Sequence, residues 1–141
     1  MKKKLYWVTC LLMIVAASAK AGDIKPFTSD GCSLSPDGTI LKRDLWLACC
    51  VAHDKAYWQG GTRKEKRTAD LKFKQCLTNK TGNPVLSNTM YFAVRLGGSA
   101  FFPTWYRWGY GWGYGRGYKK LAPAEKKQST EMLQQYGKSL K

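Results

Sequence analysis

Residues 49–58, Cys49-Cys50-Val51-Ala52-His53-Asp54-Lys55-Ala56-Tyr57-Trp58, bring two cysteines, the only histidine of the chain and a carboxylate into six consecutive positions. Asp44 is a candidate N-cap and Gly60-Gly61 a stop, so the pattern predicts a helix over about residues 44–59. At about 3.6 residues per turn, Trp46, Cys50, His53 and Tyr57 fall on one stripe, with Cys49, Ala52 and Ala56 beside it. The histidine therefore faces inward, one turn from a cysteine. Asp54, rotated by about 100° from His53, serves a different neighbour.

Downstream, Gln59-Gly60-Gly61 makes a short turn, and Thr62-Arg63-Lys64-Glu65 has the Thr-x-x-Glu spacing of a capping box that opens a second helix. A short connection makes the two helices antiparallel neighbours. On the second helix Lys66, Ala69, Asp70, Phe73, Cys76 and Leu77 share a face, which puts a carboxylate among apolar residues where it needs a partner. His53 lies about eight residues before the turn and Asp70 about nine after it, so a rise of about 1.5 Å per residue brings them to nearly the same level. Cys76 comes level with Cys49 or Cys50 in the same way, and whichever of the two it leaves is free for Cys32. A bridge between the adjacent Cys49 and Cys50 would be strained. Cys32 sits in Phe27–Thr39, a stretch of turn formers without hydrophobic period, which this linkage ties against the helix that carries His53 and Asp54.

The chain has 141 residues with 24 Lys+Arg against 9 Asp+Glu, a net charge of +15, and makes one small domain. Residues 1–21 read as a secretory signal: Lys2-Lys3-Lys4, an apolar run from Leu5 to Ala17 that includes Cys10, then Ala19-Lys20-Ala21 as the cleavage pattern. That run is short of the roughly 20 residues of a membrane span. Removing it takes away four lysines and no acids, leaving 20 basic against 9 acidic residues, about +11. The protein is thus expected to be exported, periplasmic or secreted, with its four remaining cysteines in two bridges. A zinc site at Cys49, Cys50, His53 and Cys76 is disfavoured on the same ground.

Beyond the second helix, Thr78–Asn83 reads as a turn. Ser87 or Asn88 would cap a short third helix with Met90, Phe92, Val94 and Leu96, ended by Gly97-Gly98. From Trp108 to Tyr118 aromatic residues and Arg116 alternate with glycines; if extended, every ring falls on one face. Such rings, with Trp105, Trp108, Tyr110, Trp112 and Tyr114 as candidates, suit docking at a lipid interface, and a structural clasp over the helices fits them equally well. Residues 119–141 form a basic tail with a weak helical pattern that frays. No nucleic-acid module is recognisable, and no specific nucleic acid is expected as partner.

Over Gly31 to Cys76 the order and spacing resemble the secreted phospholipase A2 enzymes: a loop cysteine, Cys-Cys-x-x-His-Asp-x-x-Tyr on one helix, then a second helix with an Asp six residues before a Cys. The resemblance implies His53 as general base, Asp70 as the residue that orients it, Tyr57 as a hydrogen-bond partner of Asp70, and Asp54 as a Ca2+ ligand. It also implies Gly31, Ser33 and Ser35 as the loop positions around the metal, and the bridges Cys32–Cys50 and Cys49–Cys76. Ser33 and Ser35 stand where the family has glycines, with Asp30 and Asp37 as further acids nearby. Ala56 replaces a common cysteine; the low bridge count looks like a bacterial branch. Residues 84–141 have no counterpart in the family pattern.

The expected fold is mainly α, a disulfide-linked antiparallel helical hairpin with an N-terminal metal-binding loop, a short third helix and an aromatic, Gly-rich C-terminal segment. Residues 22–118 form the domain, with its core in 27–80. Hydrolysis of a lipid ester needs a base for water, which His53 can be, and a positive centre for the oxyanion, which a hard cation on oxygen ligands can be. No Gly-x-Ser-x-Gly motif is present to supply a serine nucleophile. The expected activity is Ca2+-dependent cleavage of the sn-2 ester of glycerophospholipids at a membrane surface. The rival is an inactive exported cationic protein on the same scaffold that binds membranes or other anionic surfaces.

Overall fold

The structure, a computed structural model, describes residues 22–139, so the expected signal over residues 1–21 lies outside the described residues. The fold is mainly helical: among the described residues there are four helices, and the β pairing is a single bridge between Ile24 and Trp112. No helix among them is long and apolar enough to cross a membrane.

Helix α1 spans Leu47–Gln59 and begins later than the sequence predicts. Asp44 does not cap it. Trp46 occupies the N-cap position without a side-chain cap, held by its backbone N–H on the Asp37 carbonyl (2.9 Å) and its indole N–H on the Pro36 carbonyl (2.8 Å). The preceding loop therefore fixes the start of α1. Helix α2, Arg63–Thr81, has the predicted capping box at Thr62 and Glu65. It runs through the predicted turn, because buried Leu77 anchors its last turns in the core and the helix ends only at left-handed Gly82. Helix α3, Pro84–Gly97, is capped by Asn83, whose side chain accepts from the Val85 and Leu86 N–H groups, and Pro84 takes the first turn; Ser87 and Asn88 lie inside it.

The disulfides are Cys32–Cys50 and Cys49–Cys76, with Cα separations of 5.1 and 5.7 Å. The second joins α1 to α2 away from the Gly60-Gly61 turn. Around both lies a core of Trp46, Phe73 and Leu77, covered by Leu86, Met90 and Val94 from α3.

The aromatic-Gly segment is not extended, and its rings do not share one face. Gly109, Gly115 and Gly117 have positive φ, and the chain winds through turns around the end of α1. The last carbonyls of a helix lack partners within it. Here the Ala56 carbonyl accepts from Gly60 N–H (3.0 Å), Tyr57 from Gly109 N–H (2.6 Å), Trp58 from Gly111 N–H (3.1 Å), and Gln59 from the Trp112 indole (2.8 Å). Trp108 adds a bond to the Gly61 carbonyl (2.8 Å). Trp108 and Trp112 are consequently buried, and as interface residues they are excluded; their rings clasp the helix.

Of the predicted tail 119–141, residues 119–139 are described and do not simply fray. They contain α4, Pro123–Ser139, whose Met132, Leu133 and Tyr136 pack on Ile24, Phe27, Trp58 and Trp112. Buried Glu125 pairs with Arg116 through both carboxylate oxygens (2.9 and 2.6 Å), and Gln59 donates to Ser129 (2.9 Å), fastening α4 to the clasp and to α1.

Gly111→Ala is expected to cost about 1–3 kcal/mol in urea unfolding. Its Cβ would fall 2.6 Å from the Trp58 indole nitrogen and 2.7 Å from the Trp58 carbonyl, whereas one at Gly113 meets nothing within 4 Å. Equal stability of Gly111→Ala and Gly113→Ala would contradict the clasp.

Candidate active site

His53 on α1 and Asp70 on α2 do meet: the His53 Nε2 to Asp70 Oδ1 distance is 3.0 Å, with Asp70 wholly buried. A carboxylate at Nε2 places the ring proton there, so Nδ1, which bonds to no described residue, is left as the basic nitrogen. The imidazole lies between the Tyr57 and Phe73 rings, at centroid distances of 4.1 and 4.6 Å. Tyr57 donates its hydroxyl to Asp70 Oδ1 at 2.7 Å.

Two further donors reach Asp70 Oδ2, Lys66 Nζ and Arg95 NH1, each at 3.0 Å. Lys66 is only 2% exposed and also donates to the Val94 carbonyl on α3 (3.1 Å). Sequence reasoning placed Lys66 on the inward face without giving it a role, although its i,i+4 spacing to Asp70 was the available signal. Arg95 comes from α3 and has no signal near Asp70 in the sequence. Burial alone would raise the Asp70 carboxyl, but bonds from His53, Tyr57 and Lys66 and the Lys66 charge overcome it and hold Asp70 at about 2. Burial lowers the His53 pKa below the ordinary 6.5 despite the Asp70 bond and charge that oppose it. His53 is therefore neutral at neutral pH, the form a general base needs.

Asp54, next along α1, is also buried and accepts a hydrogen bond from Ser29, a partner the sequence reading missed. Burial, with the charges of Asp30 and Asp37, pushes its pKa up to about 7 against the pull of Ser29. Among the described residues none of these three acids is in an ion pair. The loop over Asp54 is tightly made: Gly31 has φ +75° and a Cβ there would strike the Asp37 carboxylate, which accepts the Cys32 N–H at 2.7 Å. The Cys32 carbonyl accepts from Ser35 N–H (2.9 Å), while no described backbone N–H reaches the carbonyls of Gly31, Ser33 or Ser35.

No three His, Cys, Asp or Glu side chains converge on a metal position among the described residues. A cation here would rest on Asp54, loop carbonyls and water, a hard-oxygen donor set, and the uncompensated acids suit one. Gly31, Ser33, Ser35, His53 and Asp54 line one cavity of about 330 Å³, whose apolar wall includes Phe73, Met90, Ala93 and Val94. Of the aromatic run, Trp105 and Tyr114 are exposed and Tyr110 is half-buried, its hydroxyl on the Thr28 carbonyl (2.6 Å).

The chain matches no family model, no curated protein and no solved structure.

Asp70 is an acid whose pKa is depressed on folding, from 3.8 to about 2. The stability it contributes, about 2 kcal/mol, is therefore present above pH 3.8 and lost as pH falls toward 2. Asp70→Asn, which strands two cations, is expected to lower stability at neutral pH by about 3–5 kcal/mol in urea unfolding and to flatten the acid dependence. Unchanged stability in that variant would contradict the network.

Proposed function

We propose that this protein is an exported, Ca2+-dependent phospholipase A2-like hydrolase that cleaves the sn-2 ester of glycerophospholipids at a membrane surface. The observation that carries the reading is the 3.0 Å contact between His53 Nε2 and Asp70 on a ring that lines an apolar cavity, with Asp54 beside it. In this reading α1 and α2 form the disulfide-linked antiparallel hairpin, and residues 27–39 the metal loop. His53 Nδ1 removes a proton from water as it attacks the ester carbonyl and returns it to the lysophospholipid oxygen as the old C–O bond breaks and the fatty acid is released, while Asp70 holds the ring in that tautomer and stabilises the imidazolium. Lys66, Arg95 and Tyr57 keep Asp70 ionised and in place. Phe73, Met90 and Val94 offer the acyl chain an apolar wall. Ca2+, held by Asp54 with loop carbonyls at Gly31, Ser33 and Ser35, would bind the lipid phosphate and polarise the ester. Exposed Leu34, Ile40 and Leu41 and the cationic charge of the chain suit an anionic lipid surface.

One observation favours the rival, a non-catalytic binder of anionic surfaces: Ser29 already occupies Asp54 Oδ2. Fatty-acid release from phospholipid vesicles, with Ca2+ and with chelator, separates the two. The expected result is Ca2+-dependent release, lowered about 10²–10⁴-fold in His53→Ala and lost in Asp54→Asn, with helical content unchanged. At saturating Ca2+, which would hold Asp54 ionised, the lowered His53 pKa keeps the ring neutral as the pH drops through 6.5, so the acid limb of kcat/KM should lie below 6.5. Full activity in His53→Ala would refute the mechanism. No release in either condition, with thermal stability indifferent to Ca2+, would favour the rival.

A further inference from the structure

A second hollow, of about 160 Å³, adjoins the candidate active site and shares Ser33, Asp54 and Tyr106 with the larger cavity. Its other walls include Trp105, Tyr110 and Asp30. The Trp105 and Tyr106 rings stand at 83° with centroids 5.1 Å apart, two sides of a corner. The Tyr110 hydroxyl is committed to the Thr28 carbonyl, which leaves its ring as wall. Asp30 is fixed without a cation: one carboxylate oxygen accepts from Ser33 Oγ (2.7 Å) and the other from the Trp105 indole (3.2 Å).

In a chain of net charge +15 this hollow is locally anionic and aromatic. Aromatic faces attract a cation through the ring quadrupole, most effectively one that sheds its water easily. A quaternary ammonium asks for no hydrogen-bond acceptor, and Asp30, both oxygens already engaged, can still supply charge. Each Asp30 oxygen carries a single donor and can take another, so a primary ammonium could bond there, but the ring faces that make most of the wall offer its N–H groups no acceptor and favour a cation that carries none.

We propose that this hollow receives a quaternary ammonium group, and that its physiological ligand is the choline headgroup of the substrate lipid. The second half rests on the function proposed above: a lipid whose ester lies at His53 and whose phosphate lies at Asp54 would bring its headgroup to the neighbouring hollow.

Two measurements on the full chain test this. The first is calorimetric titration with tetramethylammonium and, separately, phosphocholine. Saturable binding of both is expected, weakened about fivefold or more in Trp105→Ala and largely kept in Trp105→Phe, which retains a ring. The second is the ratio of kcat/KM for monomeric short-chain phosphatidylcholine over phosphatidylglycerol, where no vesicle charge intervenes. A ratio of about five or more is expected, falling toward one in Trp105→Ala and recovering in Trp105→Phe. Absence of tetramethylammonium binding would overturn the ammonium site. Binding with a ratio near one in the unaltered protein would overturn the headgroup assignment while the hydrolase stands. Binding without hydrolysis of either lipid would retain the ammonium site and refute both the hydrolase and the lipid headgroup, leaving soluble quaternary ammonium compounds as the ligand class.

Discussion

A carboxylate with no exposed surface stays ionised only if donors surround it, and Asp70 is surrounded from three helices. His53 and Tyr57 come from α1, Lys66 from its own helix α2, and Arg95 from α3. Lys66 also holds the Val94 carbonyl, so the α2–α3 contact carries a polar anchor beside its apolar one. Removing the anion would leave buried Lys66 and part-exposed Arg95 facing each other, and removing the cations would leave the anion with only the neutral donors His53 and Tyr57. The three helices are thus locked into one relative placement, and the same lock gives His53 its tautomer.

The aromatic-Gly segment answers a different need. Helix α1 ends against the C-terminal segment, and its last carbonyls take donors from outside the helix. Small residues let the chain pass close enough to donate from the backbone, as at Gly111 against Trp58, while the intervening tryptophans supply indole donors and fill the space. Helix α4 then covers the far side through Glu125 and Arg116. Segments far apart in sequence therefore converge on the end of the helix that presents His53 and Asp54.

Much of this centre was legible because helices have a fixed rise. The capping box set the start of α2, and counting from the turn brought His53 and Asp70 to one level. The same count left Cys49 and Cys50 as alternatives for Cys76, since the two are separated by only about 1.5 Å along the axis. Period-two alternation left an extended run and a clasp equally open, and what decides for the clasp is the positive φ of Gly109, Gly115 and Gly117, which turns the chain. Helix α4 was underrated because its few apolar residues hold it only by docking on Ile24, Phe27 and Trp58, a tertiary contact without local signature; Pro123 at its first position and Glu125 two residues on were the local signs. Ser29 and Arg95 gave none, being brought to the site by the loop and by α3.

The most direct test of the Asp70–His53 arrangement is nitrogen NMR of the protein labelled in histidine, since His53 is the only one in the chain and gives a single imidazole. At pH 7 the ring should be neutral, with its proton on Nε2 and Nδ1 bare, and should take up a second proton only below pH 6.5. A proton on Nδ1, or a ring already charged at pH 7, would contradict a base held ready by Asp70.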